Sequence, residues 1–198
     1  MARPLPGITS QLKMASMRRI IKDGKIVIPD DVRKGGVLIL FYPADSKIYM
    51  VFIKRTEYPG VHSGQISFPG GGWELSDKDI VETALREAEE EIGINRNSVV
   101  PIAKLTDLFI PPSNFLVTPI VGYTNERPDF IPDPEEVDRI LEVPLDKLLD
   151  ETNILEKEIT IFPELSLNVP CFYVDGNVIW GATAMMLHEL IDVIRAES

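Results

Sequence analysis

Three glutamates near the middle of the chain have the side-chain type and the spacing to hold a metal ion. Glu87, Glu90 and Glu91 are related by steps of three and four residues, so in a helix they share one face. Like charges at this spacing destabilise an isolated helix by roughly a few tenths of a kcal/mol per pair. Hard carboxylate oxygens suit Mg²⁺ or Mn²⁺, which would compensate for the repulsion. The alternative is an ordinary solvated helix face.

A run of glycines lies shortly before these glutamates. Residues 70–72 have no side chains, so their backbone can approach a ligand closely. Arg86 can reach Glu82 or Glu90 on the same helix, or an acid in the preceding loop, and so brace the carboxylates. A glycine loop that leads into an acidic helix favours a cation site over a solvated helix face.

The charge of the chain limits its partners. The 198 residues include 31 acids and 20 bases, for a net charge of −11. Residues 73–94 hold 8 acids and 2 bases, and residues 126–158 hold 12 acids and 4 bases, so the acidity is local. It disfavours nucleic acid and an anionic membrane surface as partners. A small pyrophosphate is still compatible with this charge as a ligand, because a cation bound to the acidic residues reverses the sign of the local electric field.

Cysteine usage and hydropathy predict a cytoplasmic protein without a membrane span. Cys171 is the single cysteine, so the chain has no intrachain disulfide, which fits a reducing compartment. No apolar run approaches the ~20 residues that a membrane span needs. We interpret residues 1–34 as an N-terminal helical arm, weakly helical over 8–22, that is either a homodimer contact or loosely held.

Apolar periodicity predicts a single α/β domain over residues 35–198. The long helix, residues 77–92, is expected to begin after Ser76 as its N-cap and to end at Gly93. The other predicted elements are strands over 35–42, 47–54, 99–110, 115–123, 158–162, 170–175 and 178–180, one or two short helices within 134–150, and a last helix over 181–196. Because strands and helices do not alternate regularly, we expect a layered α/β sandwich with a mixed sheet.

Residues 86–94, REAEEEIGI, resemble the second half of the Nudix hydrolase box, R-E-U-x-E-E-x-G-U, where U is a bulky aliphatic residue. Ala88 is the one departure in this half. The isolated acid of the first half falls on Asp77 if one residue is inserted, as in the coenzyme A pyrophosphatase branch. Residues 64–71, GQISFPGG, resemble that branch's G-x-x-x-F-P-G-G signature, although its upstream Arg is Gly60 here.

The resemblance implies a Nudix-type α/β/α sandwich with a mixed β-sheet. It also implies divalent-metal-dependent hydrolysis of a pyrophosphate. For this branch the substrate would be coenzyme A or acyl-CoA, cleaved to 3′,5′-ADP and (acyl-)4′-phosphopantetheine. The alternatives are a hydrolase of ADP-ribose or another nucleoside-diphosphate-X, and a non-catalytic nucleotide sensor.

The same resemblance implies roles for particular residues. The implied ligands of Mg²⁺ or Mn²⁺ are Glu87, Glu90, Glu91 and Gly71. The implied catalytic residues are Glu87, as ligand or general base, Arg86, and Glu136 as an extra acid outside the box. The implied contacts to a small nucleotide substrate are Lys54, Arg55, His62 and Ser67. Structural support of the box is assigned to Asp77 and Gly93.

Overall fold

The computed structural model describes residues 4–16, 21–22, 25–57, 63–162 and 165–197. Its helices are α1 (Ile8–Gln11), α2 (Ile80–Ile92), α3 (Leu145–Leu149) and α4 (Gly181–Glu197). Its strands are β1 (Ile21–Lys22), β2 (Lys25–Ile26), β3 (Arg33–Ala44), β4 (Lys47–Arg55), β5 (Ile66–Ser67), β6 (Gly70–Gly72), β7 (Val100–Lys104), β8 (Leu108–Ile110), β9 (Phe115–Tyr123), β10 (Val137–Pro144), β11 (Ile154–Phe162), β12 (Leu165–Val174) and β13 (Asn177–Trp180).

A mixed sheet forms the centre of the molecule. Its strand order is β10-β4-β3-β9-β7, with β5 added to β4, β6 to β3 and β8 to β9. The β3–β9 pair is parallel, and the other pairs are antiparallel. Strands β11, β12 and β13 form a second, antiparallel sheet, and β1 pairs with β2.

Helices cover both faces of the central sheet. Successive side chains of a strand point to opposite faces. Leu38 and Leu40 of β3 therefore lie in one buried cluster with Ala88 of α2, whereas Ile39 lies in another with Leu187 of α4. The predicted α/β/α sandwich is confirmed. In the part of the chain that the structure describes, no helix is both long enough and apolar enough to cross a membrane.

Helix α2 begins later than predicted. Its N-cap is Asp79, whose Oδ1 accepts hydrogen bonds from the backbone N–H groups of Val81, at 2.8 Å, and Glu82, at 3.1 Å. The prediction of Ser76 as N-cap was wrong. The preceding residues close a turn instead, because Asp77 N–H donates to the carbonyl of Glu74 at 3.1 Å.

The other end of α2 determines where the following loop runs. Gly93 has a φ of 70°, the left-handed conformation that favours glycine after a helix. The next loop returns to this end, where Ile131 N–H donates to the carbonyl of Ile92 at 2.9 Å and Asp133 N–H to that of Glu91 at 3.0 Å. These bonds satisfy carbonyls that the helix leaves unpaired and bring the segment before β10 to the helix end.

Two predictions of helix hold only in part. Residues 137–144 form strand β10, which pairs with β4, so only α3 within 134–150 is helical. The pairing satisfies the backbone groups of an edge that β4 otherwise exposes. The predicted helix over 8–22 is reduced to α1 and a 3₁₀ turn ending at Met14, and β1 occupies 21–22; residues 17–20 lie outside the described residues.

Residues before the main domain pack against α4. Ser10 Oγ lies 2.8 Å from His188 Nδ1, and Gln11 Nε2 donates to Glu189 Oε2 at 2.8 Å. Met14 is buried in the cluster that contains the α4 side chains. Strand β3 begins at Arg33, two residues before the predicted start, so the division at residue 34 cuts this strand.

Replacing the N-cap of α2 tests the observed helix start. We expect Asp79→Ala to lower the free energy of unfolding by about 1 kcal/mol, because two N–H groups of the first turn lose their acceptor. Ser76→Ala is the matched control and should change it by less than about 0.5 kcal/mol. Urea denaturation of both variants is the measurement, and equal losses would contradict the assignment.

Candidate active site

A cleft of about 610 Å³ opens between the glycine loop, α2, the end of β8 and α4. Its polar wall includes Arg33, Arg55, Gln65, Ser67, Glu87, Glu91 and Glu136. Its apolar wall includes Val37, Phe68, Ile110, Phe115, Val117 and Met186. The cleft therefore joins a carboxylate-rich end to an apolar surface formed partly by the core.

Arg86 joins the glycine loop to α2. Its Nε and Nη2 donate to the two carboxylate oxygens of Asp77, at 2.9 and 3.2 Å. Nη2 also donates to the carbonyl of Gly72 at 2.9 Å and to Glu87 Oε1 at 3.0 Å, and Nη1 donates to Glu90 Oε2 at 2.9 Å. Only 9% of this arginine is exposed. The hydrogen bond from Arg86 lowers the pKa of the buried Asp77 carboxyl to about 2.

Glu87 lies directly against the glycine loop. A Cβ atom at Gly71 would overlap the carboxylate of Glu87, so only glycine allows this approach. Burial raises the pKa of Glu87, while the neighbouring Arg86 opposes the rise. The loop backbone and a carboxylate that lacks solvation therefore meet at one point of the cleft.

Glu91 is the most buried carboxylate of the cleft wall. It is 2% exposed, and it accepts hydrogen bonds from Gly70 N–H at 2.7 Å and from Arg55 Nη1 at 3.2 Å. Burial raises the pKa of Glu91 to about 8, and the negative charges of Glu136 and Glu87 add to the rise. Glu136 Oε2 lies 3.9 Å from Arg55 Nη2, so one arginine faces two carboxylates from different parts of the chain.

The carboxylate cluster has the chemistry of a divalent-cation site. Glu87, Glu91 and Glu136 offer oxygen ligands at one end of the cleft. The raised pKa values of Glu87 and Glu91 indicate that the charges of these two carboxylates are incompletely compensated. No three acidic, histidine or cysteine side chains among the described residues converge as a formed metal site. Arginines and the Gly70 N–H engage the carboxylates instead. These residues fit a magnesium or manganese ion in ligand type and charge.

The structure brings some predicted site residues to the cleft and not others. Arg55, Ser67, Gly71, Glu87, Glu91 and Glu136 line it. Glu90 is not part of the cleft wall: 55% of its side chain is exposed, and it accepts a hydrogen bond from Arg86 Nη1 at 2.9 Å. Lys54 is not part of the cleft wall, because its Nζ contacts Asp138 Oδ2 at 3.0 Å. His62 lies outside the described residues.

Ser67 has a feature that the sequence did not indicate. Its Oγ atom is buried, and no hydrogen-bond partner for it is found among the described residues. A buried hydroxyl without a partner is uncommon, because leaving it unsatisfied costs about 1–3 kcal/mol. Since Ser67 lines the cleft, a ligand there could supply the missing bond.

Sequence reasoning missed Arg33 and its pairing partner Phe115 as residues of the cleft wall. Arg33 was assigned to the N-terminal arm, but it pairs with Phe115 where β3 lies parallel to β9. The strand start was the only available signal, because a pairing between strands so distant in sequence leaves no local pattern.

Comparison with known proteins decides the family. The NUDIX domain model matches residues 32–165. The chain belongs to the NUDIX domain family. It is 36% identical over 168 residues to "Nudix hydrolase 22, chloroplastic" of Arabidopsis thaliana, covering 82% of this chain and 55% of that protein. It is 33% identical over 127 residues to the "Peroxisomal coenzyme A diphosphatase NUDT7" of Mus musculus, covering 64% and 53%.

This Nudix chain spans about half the length of these curated relatives. Among solved structures, the Nudix hydrolase RenU from M. Smegmatis aligns with 83% of this chain and 87% of its own, at a TM-score of 0.53 and 14% identity. That likeness concerns the fold alone. The predicted family and fold class are confirmed, and the relatives' names support the predicted class of enzyme, a hydrolase.

The ion pair between Asp77 and Arg86 should make stability depend on pH. The pKa of Asp77 is about 2 in the folded chain against an ordinary value of 3.8, so its charged form stabilises the fold by about 2 kcal/mol. This contribution is fully present above about pH 4 and is lost as the pH falls to about 2. We therefore expect the difference in free energy of unfolding between wild type and Asp77→Asn to become smaller as the pH falls from about 4 to about 2.

Urea denaturation of wild type and Asp77→Asn at several pH values between 2 and 7 measures this gap. The exposed turn residue Asp45 provides the control variant Asp45→Asn, which should show no comparable gap at pH 7. A gap for Asp77→Asn that stays constant down to pH 2 would contradict the account.

Proposed function

We propose that this Nudix chain is a divalent-metal-dependent pyrophosphohydrolase that cleaves coenzyme A or acyl-CoA to 3′,5′-ADP and (acyl-)4′-phosphopantetheine. The observation that carries the proposal is the meeting of Gly71, Glu87 and Glu91 at one end of a cleft. Nudix hydrolases generally use divalent metals. Glu87, Glu90, Glu91 and the backbone of Gly71 would hold Mg²⁺ or Mn²⁺.

The bound metal would neutralise the phosphates and lower the pKa of a water molecule. Around it, Arg86 fixes Glu87 and Glu90 relative to the glycine loop, which limits their motion. Glu87, as ligand or general base, and Glu136, as the additional acid, would orient the attacking water and accept its proton. The position of Glu136 beside Arg55 and Glu91 supports this role.

Arg55 is the cation best placed to bind the scissile phosphates. It lines the cleft between Glu91 and Glu136 and is half-buried, so a phosphate there would meet a guanidinium held in place by two carboxylates. We propose the same contact for His62 from the sequence alone. Lys54 is the weaker candidate, because its ammonium group contacts Asp138.

The apolar wall supports a substrate with an apolar arm. Phe68, Val117 and Met186 are buried and belong to the main core, so this surface is preformed. An acyl-pantetheine chain would bury apolar area against it, and the Ser67 hydroxyl could bond to an amide of that chain. The mouse relative named a coenzyme A diphosphatase points in the same direction.

ADP-ribose or another nucleoside-diphosphate-X is the second candidate substrate. The observation that favours it is Gly60, which stands where the coenzyme A branch has an arginine. A non-catalytic nucleotide sensor is the third reading. It is disfavoured, because Glu87, Glu90 and Glu91 are all retained.

We also propose a cytoplasmic location. The buried single cysteine, Cys171, supports a reducing compartment. The relatives' names include chloroplastic and peroxisomal forms, so location differs within the family. A homodimer, and the lack of nucleic-acid and membrane partners, stay predictions.

A substrate panel tests the reaction. The chain is incubated with Mg²⁺ or Mn²⁺ and coenzyme A, acyl-CoA, ADP-ribose, NADH or dinucleoside polyphosphates, and the products are separated. We expect 3′,5′-ADP from the coenzyme A substrates and slower turnover of the others. A strong preference for ADP-ribose would contradict the assignment of coenzyme A as the substrate. No turnover of any compound would favour the non-catalytic nucleotide sensor.

Substitution of Glu90 tests the ligand assignment. We expect Glu90→Gln to lower metal-dependent turnover at least ~100-fold with an unchanged melting temperature, because the side chain is exposed but would hold the cation. Glu89→Gln removes the same charge from the neighbouring position of α2, which does not line the cleft and where Glu89 Oε2 contacts Arg96 Nε at 2.6 Å. It should stay within about threefold of wild type. Equal activities for both variants would refute the assignment.

A further inference from the structure

Arg33 forms the rim of the cleft at a distance from the glutamates. It is the first residue of β3, and its guanidinium carbon lies 4.1 Å from the centre of the Phe115 ring. Its Nη2 donates to the carbonyl of Ser113 at 2.8 Å. Stacking on the ring and this hydrogen bond hold the guanidinium plane in one orientation, and its other N–H groups have no acceptor among the described residues.

The charge of Arg33 differs in one respect from that of Arg55. Arg55 is paired with Glu91 and Glu136, whereas Arg33 has no carboxylate partner in the parts of the chain that the structure describes. It nevertheless lines a cleft whose other end carries carboxylates. A solvent-facing guanidinium at this position can therefore receive an anionic group of a ligand without first losing an ion pair.

The register of β3 sets the distance between Arg33 and the carboxylates. Gly36 pairs with Gly71, the residue that contacts Glu87, and Arg33 lies three residues earlier on the same strand. Three residues of strand span about 10 Å. A pyrophosphate held at Gly71 would not reach Arg33 itself, but a second anionic group one sugar ring away would.

We propose that Arg33 binds a phosphomonoester that the substrate carries on its ribose, separate from the scissile pyrophosphate. A guanidinium fork suits phosphate oxygens, and Phe115 orients that fork. This inference rests on the proposed function and sharpens its substrate class. Arg33 would separate coenzyme A, which has such a phosphate, from ADP-ribose and dephospho-coenzyme A, which do not.

Binding of two product-like nucleotides tests the proposal without requiring turnover. Calorimetry with Mg²⁺ compares 3′,5′-ADP with 5′-AMP, which lacks the 3′-phosphate. We expect wild type to bind 3′,5′-ADP at least about tenfold more tightly. Arg33→Gln should remove this preference, because it should lower the affinity for 3′,5′-ADP and leave that for 5′-AMP unchanged. Arg33→Lys should keep part of the preference.

Lys34→Gln is the matched control, because it removes one positive charge from the next residue of β3, which does not line the cleft. It should keep the wild-type preference. A wild type without preference, or an Arg33→Gln protein that retains it, would overturn the inference. Failure to hydrolyse coenzyme A would overturn the proposed function instead, and the binding comparison would still decide the role of Arg33.

Discussion

The arrangement of the cleft depends on the hydrogen bonds of the buried Arg86 guanidinium group. This group bridges Asp77, the carbonyl of Gly72 and two glutamates of α2, so it fixes the glycine loop to the helix. Removing one partner of such a buried ion pair typically lowers the free energy of unfolding by about 3–5 kcal/mol, because the other charge stays buried without compensation. Asp77 therefore supports the site indirectly, by neutralising the arginine that positions Glu87.

The same geometry explains why the acidic helix is compatible with an anionic substrate. Burial raises the pKa values of Glu87 and Glu91, which means that their charges lack solvation in the folded chain. A divalent cation would relieve this and present positive charge to a pyrophosphate. The local arrangement therefore suits a small phosphorylated ligand that binds together with a metal ion.

The sequence predicted best those features that depend on residues close together in the chain. Residues 86–92 lie on helix α2, and Gly93 ends it. Glu87 and Glu91, four residues apart, line the cleft together, as helical spacing predicts, whereas Glu90 does not line it. The N-cap was misplaced because the turn at Asp77 competes with the helix for backbone hydrogen bonds. Strand β10 and the rim position of Arg33 depend on pairing with strands far away in sequence, which propensity does not encode. The resemblance placed Glu136 among the candidates, and only the loop that returns to Gly93 showed how it reaches the cleft.

The arrangement of the cleft predicts that a divalent cation binds between the glycine loop and the glutamates of α2. The most direct measurement is anomalous X-ray diffraction from crystals of this chain grown with Mn²⁺. The account predicts an anomalous peak in contact with carboxylate oxygens of Glu87, Glu90 and Glu91 and with the backbone of Gly71. Ordered glutamates with no peak beside them at saturating Mn²⁺, or a peak at another cluster only, would contradict it.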